Sequence, residues 1–255
     1  MTTRIENNSV DVHRSPHPGF VAVVLVLLFA ASIAANMLMT GGAPYPTPYD
    51  PIPQLQNYYT RFPDAIRLAA FLQFGAMMPL LIFTATAVSR LLFHRVTVAG
   101  VHIALFGGLA AAAFLGVSSL SAWALSQPGV ASETGAMRAV QLFAFATGGF
   151  GHVVTLGLFL AGISVPSLTF RLMPRWVCWT GLAIAAICFL SVFSMLLPAI
   201  SVLLPLGRFP AYLWLIAAGF ALPNTRKETL TNDLKIERRR DEAQTPNERM
   251  TRKAI

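Results

Sequence analysis

Residues 20–40 read FVAVVLVLLFAASIAANMLMT, a run without a single charged side chain. A helix rises about 1.5 Å per residue, so this run reaches across a hydrocarbon layer about 30 Å thick while satisfying its own backbone hydrogen bonds. Five further stretches pass the same test, near Pro63 to Ser89, Thr97 to Leu125, Met137 to Val165, Trp176 to Leu197 and Leu206 to Leu222. Composition agrees, because 255 residues that are 55% hydrophobic and 12% charged cannot clothe a soluble domain in polar surface. The sequence predicts an all-α, polytopic membrane bundle of about six transmembrane helices over residues 20–222.

The basic residues set the expected orientation. Arg4 and Arg14 precede the first segment, Arg90 and Arg95 separate the second from the third, Arg171 and Arg175 separate the fourth from the fifth, and nine follow the sixth. Only Arg61, Arg67, Arg138 and Arg208 fall on the other side or at helix starts there. Loops rich in Arg and Lys stay in the cytoplasm, so both termini are expected to be cytoplasmic. The pI near 10.2 is therefore an orientation signal and not a nucleic-acid-binding face, which needs its charge gathered on one folded surface. Small residues at Ser32, Ala34 and Ala35 offer a cleavable signal peptide as an alternative for the first segment, against a long, weakly basic region carrying Glu6 and Asp11.

Outside the spans, residues 1–19 form a cytoplasmic segment, and residues 41–62 a Pro/Tyr-rich outer loop. Pro44, Pro46, Pro48, Pro51 and Pro53 favour extended backbone there, with Tyr45, Tyr49, Tyr58 and Tyr59 between and beyond them. That loop reads either as a docking surface or as a stiff connector with its tyrosines in the headgroup layer. Residues 223–255 read as a charged, disordered cytoplasmic tail. Its run Arg238, Arg239, Arg240 offers contact with anionic lipid, worth about 1 kcal/mol per basic residue near the surface. Small residues at Gly108, Ala112 and Gly116, and at Ala144, Gly148, Gly157 and Ala161, read as close helix packing within the bundle. The hairpins beginning at Ile66-Arg67 and Met137-Arg138 echo one another faintly, each running to a basic loop.

Carboxylates are absent from the spans: the acids are Glu6, Asp11, Asp50, Asp64, Glu133 and six in the tail. That weakens a proton-coupled pump and leaves few hard ligands for a metal. Counting from the outer ends, Gln73 and His152 fall within roughly 5 Å of one level. With Gln141 they make a candidate ligand-binding set in the outer half; the alternative is interhelical glue, worth about 0.6 kcal/mol per bond. A haem pair fails, since His102 lies about 7 Å from its inner helix end and His152 roughly 20 Å from its own. Cys178 and Cys188 lie about 15 Å apart on one helix, beyond disulfide reach, and read as small buried hydrophobes. No catalytic residue, cofactor or metal site is expected.

The fifth segment opens Pro174-Arg175-Trp176-Val177-Cys178-Trp179-Thr180-Gly181. Pro174 starts the helix, while Arg175, Trp176 and Trp179 anchor it at the lipid interface. With the six segments, the long first outer loop and the Arg-rich tail, this arrangement resembles the bacterial six-helix integral membrane proteins grouped as a domain of unknown function, over roughly residues 20–223. The likeness implies an integral plasma-membrane protein of bacterial type and supplies no activity. The sequence thus points to a binding, sensing or scaffolding component of the bacterial cytoplasmic membrane. A small-molecule transporter with a polar site at Gln73, Gln141 and His152 is the alternative, and an intramembrane enzyme the third reading.

Overall fold

The computed structural model describes residues 10–227. Six helical stretches in it are long and apolar enough to cross a membrane: Pro18–Met39, Pro63–Phe93, Ala99–Leu125, Thr134–Thr169, Arg175–Met195 and Pro198–Ala221. In chain order the helices are α1 (Pro18–Met39), α2 (Ile52–Arg61), α3 (Pro63–Phe93), α4 (Ala99–Leu125), α5 (Thr134–Ala146), α6 (His152–Thr169), α7 (Arg175–Leu190) and α8 (Leu203–Ala221). A π-helical turn, Thr147–Gly151, joins α5 to α6, and two 3₁₀ turns, Ser191–Met195 and Pro198–Val202, lead from α7 to α8.

The long helices close into a ring. α1 packs on α3, α3 on α4, α4 on α6, α6 on α7 and α7 on α8, and α8 returns to α1. The main core sits inside this ring, around Leu80, Phe83, Leu115, Phe159 and Leu160. Phe83 and Phe159 meet edge to face with centroids 5.9 Å apart. The α4–α6 crossing is close because Gly107 and Gly162 remove side chains from it: a Cβ on Gly162 would stand 2.7 Å from the Cα of Ala104. Gly108 and Gly116 face Thr84 and Met77 of α3 instead, and Gly157 faces α7 at Cys188. Cys178 and Cys188 are both free and buried.

Polar ties secure the ends. Arg90, almost fully buried in α3, donates from Nη1 to the carbonyl of Leu222 at 2.8 Å, and His94 donates from Nε2 to the carbonyl of Pro223 at 3.2 Å. A cation at a helix C-terminus meets the otherwise unpaired last carbonyls of α8. The hairpin turns after α3 and α6 share one device: Arg95 and Arg171 adopt φ of 59° and 54°, and Val96 and Leu172 donate back to Leu91 and Ser167. This is the left-handed cap that ends many helices, here with arginine where glycine is usual.

Residues 41–62 depart from the extended loop that their prolines predict. Ile52–Arg61 forms α2, with Pro51 and Pro53 at its start, where proline costs no hydrogen bond, and no proline in Gln54–Arg61. Leu55, Tyr58 and Tyr59 fall on one face of α2 and are buried with Ile66, Leu125 and Met137 in a second small core. The sixth span also begins earlier than expected, at Pro198 rather than Leu206. Residues 10–14 and 224–227 belong to a separate small unit, in which Val10–Val12 and Thr225–Lys227 pair as antiparallel strands, the one non-helical pairing among the described residues. The expected tail contacts at Arg238, Arg239 and Arg240 lie outside the described residues, as do residues 1–9 of the N-terminal segment.

Candidate functional site

At the end of the bundle that carries residues 41–62, the helices part around a cavity of about 590 Å³. That volume is in the range of small-molecule sites. Its walls come from the C-terminal halves of α1 and α4, the N-terminal halves of α3 and α8, and from α5, as expected for helices that alternate in direction. Residues 42–46, Pro48 and Tyr59 of α2 line it as a lid. The lid is fixed from below: the Tyr58 hydroxyl donates to Asn36 Oδ1 of α1 at 2.8 Å, and Tyr45 and Tyr58 meet edge to face at 5.6 Å. Burial holds the Tyr58 and Tyr59 phenols above their ordinary pKa, so both remain neutral hydrogen-bond donors at physiological pH.

Much of the wall is apolar, and against it stand buried polar atoms: the Tyr59 hydroxyl and the Gln141 amide lie within reach of one another, and Asn36 Nδ2, the Ser201 hydroxyl and Arg208 Nε have no hydrogen-bond partner. Such atoms are rare in folded proteins, because each costs about 1–3 kcal/mol when left unpaired. Gln141 is 4% exposed and Tyr59 1%. Asn36 Nδ2 and Arg208 Nε can only donate, the two hydroxyls can do either, and Gln141 offers one donor and one acceptor. The set is donor-rich.

Arg208 gives it a charge. Its guanidinium lies 5.8 Å from the centroid of the Phe29 ring, and Nη2 donates to the carbonyl of Gly148. No carboxylate pairs with it among the described residues, where the carboxylate–arginine ion pair is Arg67 with Asp64 at the surface. Gly148 lies in the π-helical turn, whose wider winding re-aims backbone groups and recurs at functional sites. Just before that turn the carbonyl of Ala144 accepts from the Ser118 hydroxyl at 2.8 Å. The Gly148-Gly149-Phe150-Gly151 run therefore shapes the cavity wall as well as packing helices.

Of the residues singled out from sequence, Gln73 and Gln141 line the cavity and His152 does not. His152 is fully buried, with Nδ1 2.8 Å from the carbonyl of Ala111 and Nε2 2.8 Å from the Tyr212 hydroxyl. A carbonyl can only accept, so Nδ1 carries the proton and Nε2 accepts from Tyr212. Both ring nitrogens are used in joining α4, α6 and α8. His152→Leu should lower stability by on the order of 1 kcal/mol and His152→Gln by less. Thermal unfolding in detergent checks this; a His152→Leu protein as stable as the wild type would overturn it.

Asn36, Tyr59 and Arg208 were missed as a set. Asn36 was legible as the one amide in the first span, but Arg208 reads as a charge at a helix start until the span is extended back to Pro198. Arg175, Trp176 and Trp179 are exposed on the first two turns of α7, with Trp176 and Trp179 more than half exposed. Among the described residues no three His, Cys, Asp or Glu side chains converge as metal ligands. No protein-family model, curated protein or solved structure matches this chain.

Proposed function

We propose that this chain is a multipass membrane protein that binds a small ligand with an anionic or acceptor-rich head in the lidded cavity, as a binding or sensing component of a bacterial cytoplasmic membrane. The observation that carries the reading is the set of hydrogen-bond donors that Asn36, Tyr59, Gln141 and Arg208 bring to one space, with Asn36 Nδ2 and Arg208 Nε buried there without a partner. A cation in a low-dielectric site without a counter-ion is costly, and a ligand anion offsets that cost. The lining stops at Gln73 on α3, Ser118 on α4 and Phe209 on α8. Beyond it Leu80, Phe83 and Phe159 fill the interior. A one-ended cavity supports binding over a permeation path. With both termini cytoplasmic, as the loop charges predict, the lid faces outward.

The test is untargeted mass spectrometry of small molecules that copurify with the full chain in mild detergent. At least one carboxylate, phosphate or carbonyl-rich compound should be enriched with the wild type and depleted about tenfold or more in Arg208→Gln and Gln141→Leu, since a hydrogen bond to a charged group is worth about 1.5–3 kcal/mol. Identical profiles from wild type and both variants, all equally folded, would remove the binding reading.

A further inference from the structure

Among the cavity's lining residues within the spans, those that are also exposed are Ile33 and Met37 of α1 and Pro205 and Phe209 of α8, at 42% and 63% for the first pair and 48% for Phe209. These two helices are neighbours in the ring. Toward the middle of the bundle the gap between them is sealed by aromatic contacts, Phe29 with Phe209 at 6.3 Å and Phe29 with Tyr212 at 4.9 Å between centroids. Toward the lid no aromatic contact spans it among the described residues, and Ile33, Met37 and Phe209 line the cavity while remaining exposed. In a six-span bundle, exposed apolar side chains of the spans meet lipid tails.

We propose, resting on the binding reading above, that the ligand is a single-chain anionic amphiphile that enters from the bilayer between α1 and α8. Its carboxylate or phosphate-type head lies against Arg208, Gln141 and Tyr59, and its chain leaves over Phe29 between Ile33 and Phe209. The chemistry of the two ends requires this order. Arg208 stands over the Phe29 ring that floors the opening, so one molecule that reaches the guanidinium through the gap must lay apolar length along Phe29 and Phe209. A free, water-soluble anion offers nothing to that apolar length, and a neutral lipid leaves the guanidinium without a counter-charge. The cavity volume suits one chain with a compact head.

The full chain in nanodiscs of zwitterionic phosphatidylcholine is labelled with palmitate carrying a mid-chain diazirine. Crosslinks should concentrate on peptides of α1 and α8 that contain Ile33, Met37 or Phe209. Unlabelled palmitate should compete, and acetate, inorganic phosphate and palmityl alcohol should not. Arg208→Gln should lower the labelling about tenfold through loss of a charged hydrogen bond. Ile33→Trp should lower it comparably by filling the opening, and at an exposed position it leaves the fold intact. Labelling spread evenly over the outside of the bundle and indifferent to both variants overturns the proposal. Protection of the protein by acetate or phosphate, without focused palmitate labelling, identifies a water-soluble ligand; that overturns the lateral route and leaves the binding reading standing. No focused labelling and no protection by any anion, with copurified small molecules unchanged by Arg208→Gln, removes both.

Discussion

Replacing Gly162 by leucine should destabilise this protein strongly, because two helix backbones meet at that glycine. A Cβ there would stand 2.7 Å from the Ala104 Cα and 2.8 Å from the Gly100 carbonyl oxygen, both backbone atoms of α4. A side chain can rotate out of the way; a helix backbone cannot. The crossing must open, and with it the contact at Gly107, where a Cβ would lie 2.6 Å from the Phe159 nitrogen. Overpacking typically costs about 1–3 kcal/mol, and a clash with backbone falls at the upper end or beyond. For a domain of this size that corresponds to a melting temperature lower by about 6–12 °C or more. Gly75 on α3 provides the control, because a Cβ there meets only Leu28 Cδ1, at 3.9 Å. Gly75→Ala should be neutral or slightly stabilising, as alanine favours a helix interior by about 0.5–1 kcal/mol. Melting followed by size-exclusion chromatography of the detergent-solubilised protein compares the two, and equal values would refute the role of close approach at Gly162.

The spans were legible because length and apolarity alone decide them. Where a boundary depended on proline, the reading slipped. The last span starts at Pro198 and not at Leu206, so Arg208, expected at the very start of that span, lies farther inside it with its side chain on the cavity wall. Pro51 and Pro53 suggested an extended loop, although both stand at the start of a helix, where a missing N–H costs nothing. Leu55, Tyr58 and Tyr59 already carried the helical spacing that contradicted it. Gln73 and Gln141 could be picked out because amides are scarce in such segments. Which polar groups meet was not legible. Depth along a helix can be counted from sequence, and it puts His152 and Gln73 near one level. Rotation about the helix axis is set by the packing ring, and it turns His152 toward Ala111 and Tyr212 rather than toward the cavity.

The lid should open alone when its anchor is cut. Leu55 is fully buried, and the cluster it shares with Tyr58, Tyr59, Ile66, Leu125 and Met137 is separate from the core inside the ring. Leu55→Ala removes buried apolar volume at a cost of about 2–5 kcal/mol. That loss falls on α2 and not on the bundle, since segments held by few buried contacts open independently of the rest. Hydrogen exchange of amides in residues 52–61 should therefore rise by about two orders of magnitude or more, while α4 and α6 stay protected. The Tyr59 hydroxyl leaves the cavity wall with α2, so retention of the copurified ligand should fall in step with the exchange. Leu55→Met, which conserves volume, should keep both near wild type. A uniform rise in exchange across α2, α4 and α6 would mean that lid and bundle unfold as one body. The cavity would then have no cover able to open by itself, and every exchange of ligand would have to pass between the helices.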